Sequence, residues 1–274
     1  MKKISIIQHG TDGMGHQLHG LLSLLALHNV DNYYFDGYSF INKDFSFEHI
    51  SQENSISVKE YFIEIVKKFI KVNNQEKIIY GKTIHSHEVD RIPNEYDWDT
   101  LYSLDNCYYF HNIPINKSQY EKYISNIENI KPLFINEKLP ENRLSEKNVV
   151  IHLRQGDAIV YGRGEVISNY NKKIVSILPK LINKFKDSTF YIHTDGNADF
   201  VTDILLEQNV KYIVYSKSEN VLNVLSDFIH SNVFLAGCSA LSTVCTFLGN
   251  HQLTIVSDDI KHSIPDNVVK ISDF

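Results

Sequence analysis

The chain has little cysteine: three residues in 274, Cys107, Cys238 and Cys245. Three scattered cysteines exclude a disulfide framework and a cysteine-built zinc site. Cys238 and Cys245 stand two helical turns apart, a spacing that predicts packing in a core. Positive charge is also scarce. With 27 Lys and Arg against 33 Asp and Glu, the formal net charge is -6, so no general field draws nucleic acid or an anionic membrane. Any anionic ligand must be met by local features. No apolar run approaches the roughly 18 residues that span a bilayer, and "MKKISIIQHGTDGMGHQ" reaches Gly10 and polar residues before it attains signal-peptide length. A cytoplasmic protein of a reducing compartment is the expectation. Internal repeats and low-complexity tracts are absent as well.

What is there is apolar patterning. At 274 residues and 43% hydrophobic, the chain suits one large domain or two small ones. The first segment reads strand ("KKISIIQ"), glycine turn ("HGTDGMG"), then a helix with Leu18, Leu21, Leu22 and Leu25 at helical spacing. "SVKEYFIEIVKKFIKV" (57–72) predicts a second amphipathic helix and "KIIYG" (77–81) a strand. From Lys82 to about Leu144 the pattern weakens into tyrosine-rich, proline-marked loops with one or two helices. The polar stretch 136–148 reads as an interdomain linker.

After it the rhythm is regular. Strands at 148–154, 188–194, 210–216, 232–237 and 253–257 alternate with helices near 169–186, 198–208, 219–231 and 239–249. Such alternation predicts a parallel sheet with right-handed crossovers. Ligands of these sheets bind beyond the carboxyl ends of the strands. Those ends carry His152 and Arg154, Thr194 and Asp195, and Gly237, Cys238 and Ser239.

Each end has two readings. In "NVVIHLRQGDAIVYGRGE" (148–165), Arg154 closes a strand and offers a planar fork of donors suited to phosphate oxygens; the plain alternative is a salt bridge to Asp157. His152 serves equally as a core histidine. In "FYIHTDG" (190–196), Asp195 is either a ligand contact or the N-cap of the next helix. In "AGCSALSTVC" (236–245), Ser239 and Ser242 are placed to hold a phosphate oxygen at a helix N-terminus, or Ser239 simply caps it. The turn "HGTDGMGHQLHG" (9–20) allows close backbone approach to an anion but has neither dinucleotide-binding nor Walker spacing. His16 and His19 lack a third metal ligand. "DWD" (97–99) is similar to the Asp-x-Asp pair that holds divalent metal and nucleotide diphosphate in another class of glycosyltransferase.

Taken in order, four of these signals resemble the fucosyltransferase superfamily that uses GDP-fucose: the alpha-1,2-, alpha-1,6- and protein O-fucosyltransferases. The His-x-Arg motif is "HLRQGD", the N-terminal glycine turn "GMGHQLH" (13–19), the strand ending in Thr-Asp "FYIHTDG", and the late serine-rich helix start "CSALSTVC". The matched parts are the first thirty residues and most of 148–250. The resemblance implies an α/β, GT-B-like fold with two Rossmann-like domains whose parallel sheets face across a cleft. Residues 1–140 would form the acceptor-side domain and 141–274 the nucleotide-sugar-binding domain.

It further implies an inverting, metal-independent transferase with no cofactor, moving fucose from GDP-fucose to a glycan hydroxyl. Arg154 would grip the donor diphosphate, with His152 beside the nucleotide. Gly15 and His16 (with Gly13 in the same turn) and Ser242 (with Ser239) would meet the diphosphate, and Asp195 would line the donor pocket. Glu165 is the first candidate base and Asp157 the second. Three departures are visible. The family's second arginine is Gln155 here. Its acidic residue before the late strand has no counterpart in register, Asp227 being near. Glu165 is displaced by three residues from the glutamate of the alpha-1,6 enzymes. A non-catalytic nucleotide-sugar or glycan-binding protein, and a metal-dependent transferase using Asp97 and Asp99, are the competing expectations.

Overall fold

The computed structural model describes residues 2–7, 14–27, 33–35, 52–67, 80–84, 101–105, 117–156, 162, 164–216, 218–258 and 267–274. The chain divides into two compact units, Met1–Leu139 and Pro140–Phe274.

In the first unit, β1 (Lys2–Ile7), β2 (Tyr33–Phe35), β3 (Tyr80–Ile84) and β4 (Leu101–Asp105) form a parallel sheet in the order β2-β1-β4-β3. Three helices are described with it: α1 (Met14–Leu27), α2 (Gln52–Val66) and α3 (Lys117–Phe134). The leucine stripe of α1 is buried as its spacing predicts, at Leu18, Leu21, Leu22 and Leu25. Two long-range bonds fix α3: Asn126 Nδ2 donates to Ala26 O at 2.7 Å, and Tyr61 Oη donates to Phe134 O at 2.8 Å. Helix α2 begins five residues before the expected start at 57, and β2, β4 and α3 occupy stretches whose periodicity is weak.

The second unit holds β5 (Asn148–Leu153), α4 (Gly164–Lys184), β6 (Thr189–Thr194), α5 (Asp199–Glu207), β7 (Tyr212–Tyr215), α6 (Val221–His230), β8 (Val233–Leu235), α7 (Ala240–Leu248), β9 (Leu253–Val256) and β10 (Val268–Lys270). All six strands are parallel, in the order β10-β9-β8-β5-β6-β7. The chain winds outward from β5 through β6 to β7. It then crosses back to β8 and winds the other way. This is the doubly wound order, and it reverses between β5 and β8, where such sheets open a crevice.

β5 is buried at every position because both sheet faces are covered. Val149, Ile151 and Leu153 pack with Tyr170, Ile174 and Leu178 of α4 and with Val201 and Leu205 of α5. The alternate residues point the other way, so His152 meets Phe228 of α6 at 4.9 Å between ring centroids. Among the described residues, no helix is long and apolar enough to cross a membrane.

Candidate functional site

The carboxyl end of β5 is knitted to its neighbours by side chains that satisfy backbone groups. Asp195, just past β6, accepts the Gln155 N–H through Oδ1 at 2.6 Å, and its Oδ2 lies 3.7 Å from Arg154 Nε. Gln155 Nε2 donates to Asn197 O at 2.8 Å. The Gly196 N–H donates to Thr194 Oγ1 at 3.0 Å. A methyl group on Gly156 would come within 2.8 Å of Asp195 Oδ2, so the two strand-end loops touch because this residue has no side chain.

Asp195 is therefore not the cap of α5. The N-cap is Ala198, without a side-chain bond, and Asp195 instead orients the residues following β5. Ser239 is a cap: its Oγ accepts the Ser242 N–H at 3.1 Å. Ser242 is fully buried. Its hydroxyl bonds His152 Nδ1, joining the central strand to α7. Behind this contact, β8 and β9 share their own ties, the Ala236 N–H donating to Ile255 O at 2.9 Å. Tyr170 Oη donates to Ala236 O, and burial pushes that phenol well above its ordinary range.

His152 is buried, and that burial, helped by the charge of Arg154 and by His193, lowers its pKa from 6.5 to about 3. It is neutral across physiological pH. The Arg154 side chain retains 34% exposure. A neutral, directional ring and a solvent-reaching guanidinium thus stand two residues apart at the switch point. Together they offer one hydrogen-bonding edge and one fixed positive charge, a pairing suited to an anionic, oxygen-rich ligand.

A second polar cluster lies on the same sheet face. His193 pairs in register with His152 across β5 and β6. Its Nε2 is 3.1 Å from Oδ2 of Asp227, whose side chain is 0% exposed. Arg143 holds the same carboxylate through Nε at 3.1 and 3.0 Å and Nη2 at 2.7 Å, and lies 4.1 Å over the Tyr215 ring. Burial pushes the Asp227 carboxyl up, but His193 and Arg143 outweigh it and hold it below the ordinary value of 3.8. Asp227 is thereby committed to the protein's interior. No local spacing could have signalled partners 84 positions apart.

On the opposite face a cavity of about 380 Å³ opens beside Gln155, lined by Ile167, Ser168, Asn171 and Lys172 of α4 and by Phe200 of α5. Glu165 sits exposed in the first turn of α4, and Gly15 and His16 begin α1 in the first unit. Asp157, Gly13, Asp97 and Asp99 lie outside the described residues. Cys245 is buried within α7, whereas Cys238 precedes that helix and is only partly buried, so the two do not share a helix. Among the described residues no group of three His, Cys, Asp or Glu could hold a metal ion.

The parallel sheet and its topology define an α/β protein of the GT-B-like class. The chain is similar to a solved structure of POFUT1 in complex with GDP, at 12% identity and a TM-score of 0.50, with 98% of each chain covered. It is similar also to POFUT1 in complex with GDP-fucose, at 10% identity and a TM-score of 0.52, again with 98% of each chain covered. No protein-family model matches the chain, and no curated protein matches it.

Proposed function

We propose that this chain is an inverting, metal-independent glycosyltransferase that moves fucose from GDP-fucose to a glycan hydroxyl. The observation that carries the reading is the position of Arg154: it directly follows the central strand at the topological switch point, beside the neutral His152 and 3.7 Å from Asp195. The POFUT1 structures that share this fold hold GDP and GDP-fucose, which supports a nucleotide sugar as donor. The reading needs no cofactor, and a cytoplasmic location goes with it.

As the glycosidic bond breaks, the leaving diphosphate gains charge. Arg154 is a fixed donor to that charge, and the leading amides of α7 add theirs. Ser242 acts through its hydroxyl on His152, since its own amide is bonded to Ser239. Gly13, Gly15 and His16 are proposed as donor-side residues of the first unit. The acceptor hydroxyl loses its proton late, to a carboxylate: Glu165 first, Asp157 second.

The test is to incubate the purified chain with GDP-fucose and a panel of glycans, following GDP release and the anomeric configuration of the product. Transfer with inverted configuration supports the reading, and retention overturns its stereochemistry. A second reading is a binding protein of the same fold. It is favoured by Gln155, which stands where the resemblance expects a second arginine and is tied to Asn197. GDP-fucose binding with neither hydrolysis nor transfer would favour it.

A further inference from the structure

The hydroxyl of Ser242 is buried, so its hydrogen needs an acceptor inside the protein. Among the described residues two atoms are within reach. Ser239 Oγ accepts the Ser242 amide at 3.1 Å and donates its own hydrogen to Ser242 Oγ at 3.4 Å. That leaves His152 Nδ1 as the acceptor of the Ser242 hydrogen. The bonds therefore run in one direction, from Ser239 to Ser242 to His152. A neutral imidazole that accepts at Nδ1 carries its single hydrogen on Nε2.

We infer that Ser242 sets the tautomer of His152, making it present Nε2–H as a hydrogen-bond donor to an oxygen of the bound nucleotide sugar. The inference rests on the function proposed above, and it assigns Ser242 a positioning role.

Three further observations support it. Nε2 has no hydrogen-bond partner among the described residues, and His152 keeps 8% exposure. The ring is closely packed. Phe228 lies at 4.9 Å between centroids. A methyl group on Gly237 would come within 2.6 Å of His152 O and 2.8 Å of its Nδ1. The missing side chain at 237 is what lets the imidazole reach Ser242. The low pKa of His152 agrees, since a ring kept neutral retains one donor and one acceptor rather than two donors. Arg154 supplies charge to the ligand, and His152 supplies direction without charge.

The experiment uses the full chain with ¹⁵N-labelled histidine, the His152 signals being assigned by their loss in His152→Gln. Long-range ¹H–¹⁵N correlation at neutral pH is expected to show Nε2 protonated and Nδ1 bare in the wild type. Ser242→Ala should give a tautomer mixture, and Ser242→Thr should restore the wild-type pattern. A wild-type hydrogen on Nδ1 overturns the tautomer assignment, and this measurement does not depend on any Ser242 variant folding. Affinity is read with GDP and with inorganic pyrophosphate. Ser242→Ala should weaken GDP about tenfold, the worth of one hydrogen bond, and Ser242→Thr should recover it. An equal loss with pyrophosphate puts the recognised oxygen on the diphosphate, and a loss with GDP alone puts it on the nucleoside. Equal affinity of wild type and Ser242→Ala for both probes overturns the donor role. No binding of either probe to the wild type overturns the nucleotide assignment and the proposed function, while the tautomer stands or falls on the spectrum alone.

Discussion

Arg143 and Asp227, 84 positions apart, meet through three contacts of 3.1, 3.0 and 2.7 Å. Arg143 lies three residues into the second unit, so the start of that unit is fastened to the helix packed over His152. Removing the guanidinium leaves a buried carboxylate with His193 as its remaining partner among the described residues. Arg143→Ala is expected to cost about 3–5 kcal/mol in chemical denaturation. The native carboxyl titrates below its ordinary 3.8, so its contribution is complete above the unfolded value and is lost as pH falls through the lower folded one. Asp227→Asn should therefore be less stable at neutral pH and lose less than the wild type on acidification below about pH 4.

His152 gives a pH dependence in a different window. Its folded pKa is about 3 against 6.5, so the unfolded chain binds a proton there that the folded chain refuses. Stability is complete above pH 6.5 and falls as pH drops toward 3. Between pH 7 and 4.5, the wild type should lose about 2–3 kcal/mol more than His152→Gln. Parallel denaturation curves for the two at both pH values would contradict the buried, neutral ring.

Gly237→Ala inserts a methyl group against the His152 carbonyl and ring. Both are held in a packed layer, so the expected cost is about 1–3 kcal/mol, measured as a lowered denaturation midpoint. Nucleotide affinity should fall with it, because the displaced ring no longer reaches Ser242.

Arg154→Ala should lower turnover at least ~100-fold, as loss of one preorganised charge-stabilising donor does. Stability should change little, since the side chain is partly exposed. Near-normal turnover would remove the centre of the proposed mechanism.

Excess chelator should leave transfer unchanged, and Asp97→Asn and Asp99→Asn should remain active. A chelator-sensitive rate restored by a divalent ion would instead favour the metal-dependent alternative, in which a cation neutralises the leaving diphosphate.

The second unit was largely legible because its signals are local. The run Val149, Val150, Ile151 and Leu153 is apolar on both faces, as a central parallel strand requires. The helices after β6, β7 and β8 lie within about two residues of the expected bounds, a normal margin for helix ends. Asn220, whose side chain accepts the Leu222 N–H at 2.9 Å, marks the start of α6. Helix α4 begins at Gly164 rather than 169 because its first turn is mostly exposed and carries no stripe. β10 is too short for a period to show. At the site, His152, Arg154 and Ser242 were visible as motif residues. Arg143 and His193 were not, and Asp227 and Gly237 were named without their roles, because those roles arise only when distant segments meet. Spacing placed Ser242 at a helix start, where the structure has it, but only packing shows its hydroxyl turned inward to the histidine.

The central position of β5 separates what may drift from what may not. The strand is buried along its length, but the loops beyond it carry half-exposed residues such as Arg154 and Cys238. Selection can therefore retune ligand preference through those tips while the hydrogen-bonded ladder stays untouched. A scaffold of this kind lets recognition evolve without first surrendering the ability to fold.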